Sequence, residues 1–185
     1  MENLRYPIGR FQMPENFSKE KINHWIQEIQ DAPAQYRDLV NGWTDEQLDT
    51  PYRPEGWTIR QLIHHVADSH MNSYIRFKWT LTEYEPTIKA YDEKLWAELP
   101  EAKTATVVVS LGLIESLHAR WCLMLKNLSE ADWKKIFIHP ESGKSISLET
   151  MVALYAWHSK HHIAHIAGLK AVSYTHLTLP TICSV

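Results

Sequence analysis

A helix rich in histidine, near the C-terminal end, places the strongest constraint on how this chain folds. From Ser147 to Lys170 the sequence reads SLETMVALYAWHSKHHIAHIAGLK, with apolar residues and histidines at helical spacing. With about 3.6 residues per turn, one stripe of this helix changes from apolar residues to histidines partway along. The stripe consists of Met151, Tyr155, His158, His162, His165 and Leu169. Core packing gives no reason for such a series, so we expect a functional site on this face.

Within the stripe, His158 and His162 are the pair that most favours a metal site. Their i, i+4 spacing stacks two imidazoles on adjacent turns, close enough to bind one ion. Ser159 stands where the HExxH motif has its glutamate base, which disfavours a zinc-protease mechanism. A third ligand is needed, and His64 and His65 on an earlier helix are the candidates. Neighbouring helical residues point about 100° apart, so only one of them faces the site, and periodicity leaves the choice open.

Three more long helices are predicted, and together with the histidine helix they define the fold class. Ser18 caps the first, and Thr58 with Gln61 has capping-box spacing at the start of the second. The four helices are expected between residues 18 and 42, 59 and 81, 104 and 127, and 147 and 170. Residues 83–103 form a long crossover and residues 134–147 a small hairpin. The pattern predicts an all-α fold, a four-helix bundle with metal ligands on facing helices.

Composition and charge exclude several classes of protein. The 185 residues are 44% hydrophobic, enough for a continuous core, and we expect a single domain over residues 1–171. The formal net charge is -3 and the basic residues form no stripe, so a nucleic-acid partner is not expected. We see no signal peptide and no run of about 18 apolar residues, and therefore predict a cytoplasmic protein without a membrane partner. Cys122 and Cys183 are the only cysteines, so soft-metal chemistry rests on histidine.

The end of the chain departs from the helical pattern. Residues 172–185 read VSYTHLTLPTICSV and carry neither a helix cap nor a hydrophobic period. Residues 172–181 resemble the translation of a transposon mosaic-end adapter used in sequencing libraries. We therefore predict a non-native tail over residues 172–185, with native sequence ending at about Ala171.

Two competing kinds of site fit the sequence less well. A di-iron bundle requires Glu-x-x-His on two helices, and here Glu115 with His118 is the one pair with that spacing. A Ser–His–Asp nucleophile on a Gly-x-Ser-x-Gly turn has no matching context in the chain. His70 and His118 form a further histidine group, although a histidine on an apolar face is usually a satisfied core residue.

Several segments resemble one known family. LRYPIGRF, QLDTPYRPEGWTIRQLIHHVADSHMNSYIRFK, AYDEKLWAEL, HARW and WHSKHHIAHI are similar to segments of the bacillal YfiT-type metal-dependent hydrolases of the DinB superfamily, from about Leu4 to Leu169. The resemblance implies a DinB-type four-helix bundle, a homodimer, and one zinc or nickel ion per chain held by three histidines. Carried over residue by residue, it places the metal ligands at His65, His158 and His162.

The resemblance also suggests roles for residues around the ligands. His161, His165, His64 and Asp68 become candidates for orienting the ligand imidazoles through their free nitrogens. No glutamate occupies a standard general-base position beside the ligands, although Asp68 or Glu149 could serve as a base through a water.

Three protein ligands leave a coordination position open, which is typical of a catalytic metal. If the metal activates water for attack on a small-molecule substrate, the protein is a hydrolase, as the family resemblance implies. The alternative is a low-molecular-weight thiol such as bacillithiol, which would make the protein a thiol S-transferase. A second alternative is a non-enzymatic, metal-binding stress-response module, in which His165 or Asp68 closes the coordination sphere as a fourth ligand.

Overall fold

Four long helices dominate the computed structural model, which describes residues 2–177 of the chain. The elements in chain order are α1 Glu2–Arg5, α2 Lys19–Val40, α3 Asp45–Leu48, α4 Ile59–Thr82, α5 Glu93–Ala97, α6 Pro100–Thr104, α7 Val107–Leu125, α8 Glu130–Trp133, β1 Ile136–Ile138, β2 Ser145–Ser147 and α9 Leu148–Leu177. Helices α2, α4, α7 and α9 are the predicted four. Each of α2 and α4 packs against both α7 and α9, which closes the bundle.

The helix starts follow from the capping residues that the sequence indicated. The Ser18 hydroxyl accepts a hydrogen bond from the backbone N–H of Lys21 at the start of α2. At the start of α4, the Gln61 N–H donates to Thr58 Oγ1 and the Thr58 N–H donates to Gln61 Oε1. These bonds satisfy backbone donors that the first helical turn leaves unpaired. Pro33 lies inside α2 and does not end it.

Two apolar clusters fill the bundle and show the direction of each helix. The first contains Ile26, Phe77, Trp121 and Tyr155, one from each long helix. The second contains Tyr36, Ile63, Ile114 and Ile166, again one from each. Along α2 and α9 the first cluster comes before the second, and along α4 and α7 the order is reversed. Helices α4 and α7 therefore run parallel to each other, as their long crossover allows, and antiparallel to α2 and α9.

A layer of histidines separates the two clusters. His70 on α4, His118 on α7 and His158 on α9 each lie, in sequence, between residues of one cluster and residues of the other. His70 and His118 are fully buried. Buried polar rings must find hydrogen-bond partners inside the protein, so this layer has to be internally connected.

The connections agree with the sequence in outline and differ in detail. The hairpin before α9 is present, with β1 and β2 antiparallel and Phe137 paired with Ile146. The crossover expected over residues 83–103 contains two short helices, α5 and α6. The N-terminal arm lies on the body of the protein, where the ring of Tyr6 contacts that of His161. It begins with the single turn of α1.

Two sequence expectations concern the ends of helices and the membrane. Helix α9 continues past Ala171 to Leu177, so the helical pattern does not stop where we expected. The rest of the predicted non-native tail, residues 178–185, lies outside the described residues. Among the described helices, α7 has the length and mean hydropathy of a possible membrane span, although Glu115 and Arg120 interrupt its apolar sequence. However, 39% of it is buried and it packs against α2 and α4, and a core helix of a bundle meets the same criterion.

Candidate metal centre

Three histidines from two helices converge in the bundle. His65 comes from α4, and His158 and His162 come from α9. One ring nitrogen of each lies within 4.8 Å of one from each of the others. The two rings on α9 lie edge to face with centroids 4.4 Å apart, and the centroid of the His65 ring lies 5.5 Å from that of His158 and 5.2 Å from that of His162. Helix packing α4 on α9 therefore assembles a three-histidine group from residues far apart in sequence.

The spacing of the nitrogens suits a small divalent cation. His158 Nε2 and His162 Nε2 are 3.2 Å apart. Two nitrogens bound at 2.0–2.1 Å to one tetrahedral ion lie about 3.3 Å from each other. The i, i+4 pair is thus already at the separation that two ligands of one ion require.

Burial keeps these histidines neutral. Burial, with a smaller electrostatic effect of His161, lowers the pKa of His65 to about 4. The pKa of His158 and that of His162 lie well below the usual value, first because of burial and then because of neighbouring imidazoles. An imidazole binds a metal through a free lone pair, which its protonated form lacks. The three rings can therefore act as ligands at neutral pH.

The structure distinguishes His65 from His64, which periodicity could not do. His64 Nδ1 lies 2.7 Å from Ser110 Oγ, and its Nε2 lies 3.2 Å from the carbonyl oxygen of Ala105. Both partners are on or just before α7, so His64 joins α4 to α7. His65 faces α9 instead. Trp57, just before α4, packs against the His65 ring with centroids 4.7 Å apart.

A chain of hydrogen bonds fixes the tautomer of His158. The carbonyl oxygen of Ile29 can only accept, so His118 Nδ1, 2.6 Å away, carries the proton. Neutral His118 then has a bare Nε2, which accepts from His70 Nδ1 at 2.7 Å. Neutral His70 in turn has a bare Nε2, which accepts from His158 Nδ1 at 3.0 Å. His158 Nε2 is left without a proton, and it is the nitrogen that faces His162.

This series of hydrogen bonds gives a role to His70 and His118, to which the sequence assigned none. A ligand imidazole usually donates its second ring N–H to a partner that holds its orientation. Here that partner is His70, and His118 determines which nitrogen of His70 can accept. The ring planes of His70 and His118 are within 7° of parallel, which suits the in-plane hydrogen bond between them.

We expect that His118→Phe weakens metal binding by about 10-fold. Phenylalanine removes the fixed acceptor, so His70 no longer has to offer a bare Nε2 to His158. His118→Gln is the matched control, because an amide supplies one donor for Ile29 and one acceptor for His70. Competition with a fluorescent zinc chelator measures both affinities. Equal affinities for the wild-type protein and His118→Phe would show that the chain of bonds does not position His158.

Two clefts reach the three-histidine group. One has a volume of about 610 Å³ and is lined by Arg53, Trp57, His65, His158, His161 and His162, among others. The other has a volume of about 600 Å³ and is lined by Ser69, Arg76, Tyr91, Tyr155 and His158, among others. Glu93 and Lys94 of α5 line both clefts. A small molecule in either cleft would have access to His158.

Glu93 is a functional candidate that the sequence analysis missed. Burial raises its pKa, with Lys94 acting in the opposite direction. A carboxylate with a raised pKa, in a cleft beside possible ligands, is suited to accept a proton. Its position in the non-periodic crossover gave no signal, since only the folded position of α5 places it in the clefts that His158 also lines.

The other sequence candidates occupy different places. Neither Asp68 nor His165 belongs to the group of His65, His158 and His162, so neither closes that coordination sphere. Burial raises the pKa of Asp68 to about 6. Glu149 is wrong as a base, because its carboxylate pairs with Lys134 at 2.6 Å and lines a separate cavity that none of the ligand histidines reaches.

The di-iron and protease alternatives are also inconsistent with the structure. Glu115 is exposed and pairs with Arg37 on α2, so it does not share a site with His118. The buried hydroxyl of Ser159 donates to the carbonyl of Tyr155 within α9. Ser159, which stands at the position of the HExxH glutamate, is thus engaged within the helix and does not act as a base.

Comparison with known proteins agrees with this geometry. YfiT of Bacillus subtilis is 52% identical over 168 residues, which are 91% of this chain and 94% of that protein. A relative in Bacillus mycoides is 52% identical over 170 residues, covering 92% of this chain and 97% of the relative. Both carry the provisional name of metal-dependent hydrolase.

Solved structures support the same fold. The structure of B. subtilis YfiT matches with a TM-score of 0.91 and 50% identity, over 93% of this chain and 98% of that one. It is described as "a probable metal-dependent hydrolase with an unusual four-helix bundle topology". A mycothiol-dependent maleylpyruvate isomerase, 19% identical with a TM-score of 0.58 over 76% of this chain and 60% of its own, shows a likeness of fold alone.

The family can now be stated. The model of the DinB superfamily matches residues 28–166, a range that contains all three histidines of the group. The family match, the close relatives and the bundle agree with the resemblance that the sequence motifs indicated. The chain belongs to the DinB superfamily.

Proposed function

We propose that this protein is a metal-dependent hydrolase in which His65, His158 and His162 hold one divalent cation. The observation that carries the proposal is the convergence of three buried, neutral imidazoles beside two clefts. The relatives named as metal-dependent hydrolases support it. The donor set of three neutral histidines fits Zn²⁺ or Ni²⁺, and we propose one of these two ions.

Glu93 completes the arrangement as the proposed general base. A bound cation supplies Lewis acidity, which allows water to lose a proton near neutral pH. Glu93 lines both clefts beside His158 and can accept that proton on a carboxylate oxygen. Trp57 and Arg53 line the larger cleft, where they would bind the apolar and negatively charged parts of a small-molecule substrate.

The structure gives a reason to prefer water to a thiol as the nucleophile. A metal-bound thiolate needs no strong base, so a site without a carboxylate base would favour a thiol, and Glu93 in both clefts weakens that reason. A closed, non-enzymatic site is not favoured either, because neither proposed fourth ligand joins the three-histidine group.

Hydrolysis in ¹⁸O-labelled water tests the proposal. Protein reconstituted with zinc or nickel and assayed on a panel of esters, amides and phosphate esters is expected to place one ¹⁸O in a product. Glu93→Gln should slow this reaction by about 100-fold with unchanged metal content, because the amide cannot accept the proton. Glu46→Gln, an exposed change on α3, is the control. Formation of an S-conjugate with bacillithiol, without labelled product, would instead identify a thiol transferase.

We also propose a cytoplasmic homodimer. The outer face of α7 exposes Val109, Leu113 and Leu123, which are 59%, 42% and 67% exposed. Exposed apolar side chains on one face of a helix are typical of an interface between subunits. Light scattering during gel filtration measures the mass in solution, and a monomer would refute the dimer.

A further inference from the structure

A second pair of histidines on α9 repeats the geometry of the first. His161 and His165 are also separated by four residues, with ring centroids 4.5 Å apart and 78° between the ring planes. The corresponding values for His158 and His162 are 4.4 Å and 77°. The Nε2 atoms are 3.1 Å apart in the second pair and 3.2 Å in the first. Both pairs therefore match the separation of about 3.3 Å between two ligands of one tetrahedral ion.

His162 provides a third donor to the second pair. One ring nitrogen of each of His161, His162 and His165 lies within 4.8 Å of one from each of the others. His161 Nδ1 and His162 Nδ1 are buried and have no hydrogen-bond partner among the described residues. Unpartnered nitrogens are costly in a protein interior, and a bound cation would satisfy one of them.

Aromatic rings hold the second group in place. Trp157 stacks on His161 with centroids 4.6 Å apart and 19° between the planes. The ring of Tyr52 lies 4.1 Å from that of His165. Rings fixed in this way lose little conformational freedom when they bind a ligand.

Solvent can reach this group through two adjoining clefts. His161 lines the cleft of about 610 Å³ described above. His165 lines a neighbouring cleft of about 410 Å³, and Tyr52 and Arg53 line both. A cation and its remaining water ligands therefore have a route into the group.

We propose that His161, His162 and His165 form a second site for a divalent transition-metal ion. Three imidazoles select ions such as Zn²⁺, Ni²⁺ or Co²⁺ over Mg²⁺ or Ca²⁺, which prefer oxygen ligands. The two sites share His162, so with both ions bound its ring would release the remaining N–H proton to solvent and bridge them as an imidazolate, and two cations so close together repel each other. The second ion accordingly binds at least about 10-fold more weakly than the first.

Titration of metal-free protein with Co²⁺ tests the second site. Bound ions are counted by mass spectrometry of the metal after gel filtration, and their affinities come from the absorption of bound Co²⁺. The wild-type protein is expected to bind two ions per chain. His65→Ala should keep one, in the second site, and the double variant His161→Gln/His165→Gln should keep one, in the first. His162→Ala should weaken both.

The controls separate this proposal from the proposed hydrolase site. His24→Gln removes an exposed histidine from α2 and should still bind two ions. Circular dichroism confirms that each variant is folded, and His65→Ala tests the second site without altering it. One ion in the wild-type protein and none in His65→Ala would overturn the second site and leave the first intact. Two ions in the double variant would overturn it as well.

Discussion

His158→Ala is expected to lower the affinity for the tightly bound metal ion by more than about 100-fold and to abolish metal-dependent hydrolysis. Loss of a residue that only orients a ligand costs 10–100-fold in metal affinity, so loss of a ligand itself costs more. His158 Nε2 lies 3.2 Å from His162 Nε2, and its Nδ1 is held by His70. The change removes one of the three metal donors. It also removes the last ring in the series of hydrogen bonds from Ile29 through His118 and His70.

Metal content by mass spectrometry, together with the rate of hydrolysis, measures this effect. His162→Ala and His65→Ala should lose the tight ion as well, because each supplies one of three donors. His24→Ala is the matched control, since its ring lies on the outside of α2 with 69% of the side chain exposed. A tight ion retained in His158→Ala at wild-type affinity would mean that these histidines are core residues, and the hydrolase proposal would fail.

The sequence predicted this site in part, and the reason is the geometry of helices. An i, i+4 spacing on one helix fixes the distance between two side chains, so His158 and His162 could be paired from sequence. His65 lies on another helix, and its position relative to α9 depends on packing. The family resemblance placed it, and the structure brings it to the expected group.

The partners of the ligands could not be predicted, because they depend on several helices at once. The chain from Ile29 through His118 and His70 to His158 crosses α2, α7, α4 and α9 in turn. No spacing within one helix encodes such a series. Glu93 escaped notice for the same reason, since periodicity says nothing about a connection.

The bundle itself was more accessible to prediction. Periodicity and the capping residues predicted α2, α4 and α7 to within a few residues, whereas α9 continues to Leu177, beyond its expected end near residue 170. The order of the two apolar clusters along each helix, which sets the helix directions, appeared only in the structure. Helix α6 was missed because Pro100–Thr104 is too short to show a period.

Acid is expected to destabilise the metal-free protein between pH 6.5 and pH 4. Burial lowers the pKa of His118 from 6.5 to about 4, although the hydrogen bond to Ile29 opposes the shift. The pKa of His70 is also lowered well below 6.5, by burial and then by the charges of His118, His158 and His65. In this window the unfolded chain takes up protons that the folded protein cannot. The free energy of unfolding therefore falls as the pH falls.

The size of the effect follows from the shift. A change of about 2.5 pKa units for His118 corresponds to roughly 3 kcal/mol, lost progressively as the pH decreases from 6.5 to about 4. Asp68 acts in the opposite direction, because burial raises its pKa to about 6 and the folded state then binds its proton more readily. The histidines of α9 have lowered pKa values and add to the loss.

Urea unfolding at a series of pH values, with a chelator present, measures this dependence. His118→Gln isolates the contribution of His118, because the amide keeps a donor for Ile29 and an acceptor for His70 but does not titrate. The variant should lose roughly 3 kcal/mol less than the wild-type protein over the same range. Identical slopes in the two proteins would show that His118 is not held neutral in the fold. The neutral state of His118 also fixes the tautomer of His158. That result would therefore remove the reason for expecting an unprotonated Nε2 on His158.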